Sequence, residues 1–315
     1  MMPTRIQSAL DSAGIQAARI EWLWWLMLWV TTVVFVLVVA AVAVAVVRGR
    51  SSERPRPTHT TMVRAVGSAL ALTIVILFGL LYASAATGRA IGSVPAETPL
   101  VIQITGQQWW WSVEYVDQSP SQRFTTANEL HLPVGRPVVF NLRSPDVIHS
   151  FWVPNLHGKT DVIPGRLNTT WLRADRPGVY RGQCAEFCGM QHAHMGVVVV
   201  AEHRDAYARW ESAQRQNAVE PSTAEQRRGR GIVEHGPCAL CHTVRGTQAG
   251  GRTAPDLTHF ASRSTIGAAT VPNTRGHLAG WIADPQHLKP GNRMPAAGLS
   301  AEDLQAVVAY LEALR

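Results

Sequence analysis

The 315-residue chain contains four cysteines, and they fall in two tight pairs, Cys184 with Cys188 and Cys238 with Cys241. Met190, His192, His194 and Met195 follow the first pair closely, and His149 stands 35 residues before Cys184. Two thiolates, imidazoles and a thioether form a soft, electron-rich donor set, and copper is the first-row metal this mixture suits best. A mononuclear blue-copper site needs one Cys, two His and a weak Met. A second Cys on the same loop lets two thiolates bridge two coppers. His149 and Met195 can then complete one copper, and His192 with the main-chain carbonyl of Glu186 the other. Such a pair spreads one electron over two metals, which keeps geometry change small on electron transfer. On spacing alone, a Cys184–Cys188 disulfide outside the cytoplasm and a zinc site of two Cys and two His also fit. His194 and Met190 compete with His192 and Met195 as ligands.

The second pair has a sharper signature. Cys238-Ala-Leu-Cys241-His242 is the C-x-x-C-H attachment motif of c-type haem. Both thiols add to the haem vinyl groups, and His242 binds the iron. Met294, in Gly291-Asn-Arg-Met-Pro295, is the last methionine of the chain and supplies the sixth ligand in this reading. Met/His ligation raises the haem potential and suits electron transfer. His259, His277 and His287 are the competing candidates.

These residues need elements to hold them. Trp22 to Val47 runs without a charge, and so does Ala65 to Thr87. About 20 apolar residues span a bilayer core, and the first run is too long for a signal-peptide apolar region alone. The alternatives are a cleavable signal for the first and a buried soluble helix for the second. The connector Arg48–Arg64 carries five arginines against Glu53 alone. Arg-rich short loops stay cytoplasmic, so both termini and everything after about residue 88 are expected on the outer face. Pro55 and Pro57 keep the connector from being helical, and Trp22, Trp24 and Trp25 suit an interfacial aromatic belt.

From Leu100 the pattern turns to short strands separated by Pro and Gly. They are expected at Val101–Thr105, Trp110–Tyr115, Glu129–Leu132, Val138–Leu142, Thr169–Leu172, Val179–Arg181 and Val197–Val200. That spacing predicts an all-β sandwich or barrel. Residues 204–223 read as a solvated helix and linker. A helical start at Ser222–Glu234 opens the haem-bearing segment. Leu304, Val307, Val308 and Leu311 mark a closing helix over Ala301–Leu314.

Charge narrows the function. Only 16% of residues are charged and 46% are hydrophobic, against about 25% charged in soluble proteins. The net charge is +7, with 27 of the 29 basic residues arginine. Residues 1–95 hold +5 of it, 96–203 hold −1, and 221–315 hold +3. The basic excess surrounds the apolar third, which excludes a nucleic-acid binder built on a basic folded domain.

The two apolar runs, the aromatic stretch Gln107–Tyr115, the segment Asp146–Phe151, the Cys184–Met195 loop and the C-x-x-C-H segment together resemble subunit II of haem–copper cytochrome c oxidase, in its caa3-type form. The resemblance covers essentially the whole chain. It implies a membrane-anchored multidomain protein: a two-helix transmembrane hairpin (about 22–47 and 65–87) within residues 1–95, an all-β Greek-key cupredoxin barrel over 96–203, a helical linker over 204–223, and an all-α cytochrome c domain over 224–315. It implies a dinuclear CuA centre held by His149, Cys184, the Glu186 carbonyl, Cys188, His192 and Met195, with His194 outside the ligand set. It also implies a magnesium ion on the Glu186 carboxylate at the border with subunit I, electron entry at Trp109, and Asp146 on a cytochrome c docking face. Haem c is held by Cys238, Cys241, His242 and Met294.

The activity so implied is electron input. Electrons pass from cytochrome c or the chain's own haem c, through CuA, to a haem of subunit I, where oxygen is reduced to water and protons are translocated. Subunit I, subunit III, an electron donor and membrane lipid are the implied partners, in a bacterial cell membrane. Two departures stand out. Gln107 replaces a frequent histidine, and Arg64 stands where the family often has a proton-uptake glutamate; Glu53 is poorly placed to serve instead. The alternatives are an electron-entry subunit of a CuA-type nitric oxide reductase and a membrane-anchored copper chaperone or thiol redox protein.

Overall fold

A computed structural model describes residues 6–49, 57–93 and 97–315. Arg5, Arg50, Glu53, Arg54, Pro55 and Arg56, on which part of the charge and connector reading rests, lie outside the described residues. The chain divides into two units, residues 18–94 and residues 1–17 with 95–315.

The first unit holds most of two long helices, α1 (Ile15–Gly49) and α2 (His59–Gly92). Both exceed the expected spans, because the apolar cores continue into helix-favouring flanks. The oxygen of Thr58 caps α2, accepting from the amide of Thr61 at 3.3 Å. Each helix is long and apolar enough to cross a membrane. Arg64 lies in the first turns of α2.

The second unit begins with β1 (Leu100–Gln107), β2 (Trp110–Val116), β3 (Phe124–Ala127), β4 (Glu129–Pro133) and β5 (Val138–Arg143). There follow β6 (His149–Trp152), β7 (Thr160–Val162), β8 (Asn168–Leu172), β9 (Gly178–Cys184) and β10 (Gly196–Glu202). They form two five-stranded sheets, in the orders β3-β2-β1-β5-β8 and β4-β10-β9-β6-β7. β1 runs parallel to β5 and β4 parallel to β10, and the other pairs are antiparallel. Alternate residues point into the core: Ile102 and Ile104 of β1, Trp111 and Val113 of β2, and Phe140 and Leu142 of β5 are fully enclosed. Each such side chain contributes about 1.5–3 kcal/mol. β3, β6 and β7 went unread in the sequence because they are short and two of them are interrupted by polar residues.

The segment before α1 is part of this sandwich. Ala13 donates to the Asn155 carbonyl and accepts from the Asp175 amide, both at 2.7 Å. Gly14 is needed there: a Cβ would lie 2.7 Å from the Leu156 oxygen and 2.8 Å from that of Arg173.

After the sandwich, α3 (Arg204–Gln214) corrects the reading of a solvated linker. Tyr207 is buried, and Trp210 packs among Tyr115, Phe124 and His131, stacking on the His131 ring at 4.1 Å. An aromatic pair in a charged sequence was hard to see as a packing face.

The C-terminal segment holds α4 (Ala224–His235), β11 (Thr265–Ile266), β12 (Val271–Pro272), α5 (Arg275–Ala283), α6 (Pro285–Leu288) and α7 (Ala301–Ala313). The small β11–β12 hairpin qualifies the all-helical expectation. α4 opens with a capping box between Thr223 and Gln226, worth about 1 kcal/mol. α4 and α7 meet at Gly229, where a Cβ would collide with the Ala306 carbonyl. Val307, Val308, Tyr310 and Leu311 of α7 fill the core beside Val233 and Leu278.

Candidate metal centres

The copper loop sits between two sheet strands. β9 ends at Cys184, β10 begins at Gly196, and the turn between them is tied down by backbone bonds. The Cys184 amide donates to Met195 (2.8 Å), Ala185 to Ser150 (2.9 Å) and His192 to Gly189 (3.1 Å). His149 arrives from the start of β6, whose Phe151 pairs with Cys184.

The sulfur of Cys184 lies 3.9 Å from His149 Nδ1, 3.2 Å from the Glu186 carbonyl oxygen and 3.8 Å from the Cys188 sulfur. The Cys188 sulfur lies 3.5 Å from His192 Nδ1 and 3.8 Å from Met195 Sδ. All six atoms named from the sequence therefore converge. The two thiols are free, and their separation far exceeds the roughly 2.05 Å of a disulfide. His194 turns away: its Nδ1 meets Gln191 Oε1 at 2.7 Å. Met190 is largely exposed.

Protonation follows the geometry. The hydrogen bond from Cys188 holds Cys184 far below the usual thiol range, and the same bond pushes Cys188 up. Burial opposes the charged form of His149, but its bonds with Cys184 and Asp146 outweigh this and raise its pKa. Burial likewise works against the Asp146 carboxylate, yet the bonds from His149, Gln108 and Val147 bring its pKa down.

Asp146 does more than the sequence suggested. Its carboxylate accepts from the amides of Gln108 and Val147, each at 2.8 Å, and pairs with His149 Nε2 at 2.9 Å. It orients the histidine, leaving Nδ1 facing the sulfur, and only a small part of it reaches the surface. A carboxylate three residues before a ligand histidine was the available signal.

Trp109 is half-buried, and its indole N–H donates to the Cys188 carbonyl at 2.9 Å. Gln108 Nε2 donates to the same oxygen at 2.8 Å. Glu186 and Phe187 lie exposed at the loop's tip.

In the cytochrome c domain, Cys238 and Cys241 occupy a short helical turn after α4 and are both free. His242 Nδ1 meets the Pro255 carbonyl at 2.7 Å. That bond fixes the tautomer and leaves Nε2 as the ligand atom. Burial lowers the His242 pKa, keeping the imidazole neutral as iron binding requires. Met294 lies on the irregular chain after α6, held by its amide on Asn292 Oδ1 at 2.8 Å. His259 is committed elsewhere, with its ring nitrogens at 2.9 Å and 3.1 Å from the carbonyls of Arg315 and Gln216. His277 bonds Thr274. Arg245 and Arg263 each keep a buried, unpartnered Nε, a polar demand that the acidic edge of an enclosed haem would meet.

The described residues thus join two helices long and apolar enough to cross a membrane, a β-sandwich with two free thiols on one loop and a helical domain that carries a C-x-x-C-H motif. Residues 117–202 match the family model of the periplasmic domain of cytochrome c oxidase subunit II, and residues 226–315 match that of cytochrome c. The chain is similar to the cytochrome c oxidase subunit 2 of Alkalihalophilus pseudofirmus (41% identity, 70% of this chain and 62% of the relative). It is similar to that of Bacillus sp. strain PS3 (34%, 69% and 62%) and of Bacillus subtilis (31%, 70% and 64%). The alignments thus span somewhat under two thirds of those relatives' length. Residues 117–202 therefore carry a periplasmic domain of the cytochrome c oxidase subunit II type, and residues 226–315 a cytochrome c domain. The two domains imply a CuA copper centre and haem c, and the donor sets described above fit both.

Proposed function

We propose that the chain is the electron-entry subunit of a haem–copper oxidase, receiving electrons at haem c and passing them through CuA to subunit I. There oxygen is reduced to water and proton translocation is driven. His149, Cys184, the Glu186 carbonyl, Cys188, His192 and Met195 hold the copper pair. Cys238 and Cys241 would bind haem covalently, with His242 and Met294 holding its iron. The copper pair supplies a one-electron relay that delocalises charge. The protein's part is to hold the donors rigidly, exclude water and offer a bonded path inward.

The observation that carries this reading is the convergence of all six donor atoms beneath Trp109, whose indole bonds the carbonyl of the ligand Cys188. The exposed Glu186 carboxylate would take a magnesium ion where subunit I docks. Subunit III, cytochrome c and membrane lipid complete the proposed partners, with both outer domains on the periplasmic face of a bacterial membrane. Arg64 offers no carboxylate for proton uptake at that position. Metal analysis of the chain separated from subunit I tests the assignment, which requires a copper pair and a single haem iron. Consumption of nitric oxide in place of oxygen would reassign the complex. Trp109→Phe should slow copper reduction severalfold with copper content unchanged; an unchanged rate would place electron entry elsewhere.

A further inference from the structure

The turn that carries His192 and Met195 is clasped by two loops of the cytochrome c domain. At the centre of the clasp is Lys289, one residue past α6 and five before Met294. Its side chain is 3% exposed. The ammonium donates to three backbone carbonyls, of Trp109 at 2.7 Å, His194 at 2.7 Å and Gly267 at 2.8 Å. An ammonium has three protons, so its donor capacity is filled. Two of the acceptors belong to the copper domain and flank its ligands, and the third belongs to the cytochrome c domain. Burying an ammonium is costly unless its hydrogen bonds are met. Here they are met only while the two domains are together.

The surrounding contacts follow the same outline. Gln191 Nε2 donates to the Pro290 carbonyl at 2.8 Å, and the Gly196 amide to the Ala268 carbonyl at 2.9 Å. Gly291 has a φ of +82°, and a Cβ there would lie 3.1 Å from Met190 Sδ and 3.9 Å from the Trp109 indole. Ala268 and Ala269 both take positive φ, 63° and 59°, a conformation that crowds Cβ against the following carbonyl. Ala269 is seated against Val198, Val200 and Val179 of the copper domain. A strained pair of alanines persists when the surroundings over-determine it, and the copper domain is part of those surroundings.

We propose that Lys289 is an interdomain latch that holds the cytochrome c domain on the copper-ligand turn and encloses Trp109, so that this face serves the chain's own haem and not a separate donor protein. The latch rests on contacts alone; its use in electron delivery rests on the function proposed above. Lys289 is a positioning residue: its ammonium bonds backbone carbonyls and acts on the Cys188 sulfur through its charge.

Hydrogen exchange on the full chain tests the latch without reference to activity. In the unaltered protein, segments 191–196, 267–270 and 289–291 should open as one cooperative unit with a common rate. Separate rates would overturn the proposal, whatever any variant does. Lys289→Met should raise that shared rate about tenfold or more, the scale of one lost hydrogen bond to a charged group, while α4 and α7 stay protected. Unchanged exchange in the variant would also overturn it. A second readout is single-electron transfer from reduced haem to the oxidised copper pair, which should slow in Lys289→Met. If exchange rises but transfer does not slow, the latch stands and the electron route is refuted.

Discussion

The copper site and the haem site are built on opposite plans. The six copper donors converge, each within 3.9 Å of a cysteine sulfur. The strand ends and the backbone bonds of the loop hold them. In the haem site Cys241 is exposed, Cys238 is half-buried, and Met294 rides on irregular chain. The His242 ring is pinned by its bond to the Pro255 carbonyl. A metal pair is small beside the sandwich that holds its donors, whereas a haem is large enough to be part of the core it completes. The copper domain is therefore expected to fold on its own strands, and the cytochrome c domain to need its haem.

The strongest way to break this comparison is to remove a bridging thiol. Cys184→Ser or Cys188→Ser should abolish the mixed-valence copper spectrum while the sandwich still melts cooperatively. Survival of the spectrum in either variant would mean that the thiolates do not both bridge. His194→Ala should leave both coppers in place.

Removal of the cofactors comes next in size. Chelation of copper should leave the copper domain folded by far-ultraviolet circular dichroism. Cys238→Ala with Cys241→Ala should lose haem and strongly lower the melting temperature of the cytochrome c domain in calorimetry. Equal sensitivity of the two domains would refute the contrast.

A subtler substitution probes preorganisation within the copper site. Asp146→Asn keeps shape but weakens the hold on His149. Copper affinity should fall about 10- to 100-fold, the usual range for a partner that orients a ligand histidine. Competition with a copper chelator measures it, and an unchanged affinity would assign Asp146 to the surface alone.

The smallest effect concerns the junction of the sandwich with α3 and the cytochrome c domain. His131 lies 2.6 Å from Glu202 and 3.7 Å from Glu129, under the ring of Trp210. Glu129 also accepts from the Ser264 amide at 2.9 Å and from its hydroxyl. Burial disfavours the imidazolium, but the bonds to both glutamates outweigh it and raise the His131 pKa. Burial works against the Glu129 carboxylate too, and its bonds with His131 and Ser264 lower its pKa overall. The stability from His131 is present in full below its unfolded value of about 6.5 and is lost as pH rises through the raised folded value. That from Glu129 is present above its unfolded value of about 4.3 and is lost as pH falls through the lowered one. Melting temperature should therefore decline on the alkaline side, and His131→Gln should flatten that decline. An identical slope in the variant would remove His131 from the account.

The sequence by itself determined the chemistry. Cysteine pairs at short spacing are local, so Cys184, Cys188 and the C-x-x-C-H motif could be read without a fold. Long apolar runs and closely spaced Pro and Gly marked the spans and the sandwich for the same reason, since each is a property of neighbours in the chain. His149, although remote, was named because it stands by a strand edge in the segment Asp146–Phe151 that carries the family resemblance. What the tertiary structure decided are relations between distant residues. Nothing near Asp146 in the chain shows that its carboxylate also binds the Gln108 amide, and nothing near Trp210 shows that it stacks on His131. Lys289 reads as one ordinary surface lysine of two in the chain. Its role comes from three carbonyls contributed by segments up to 180 residues away. Carbonyl oxygens occur at every residue and leave no mark in composition or pattern, so only the folded chain can show which of them a buried ammonium meets.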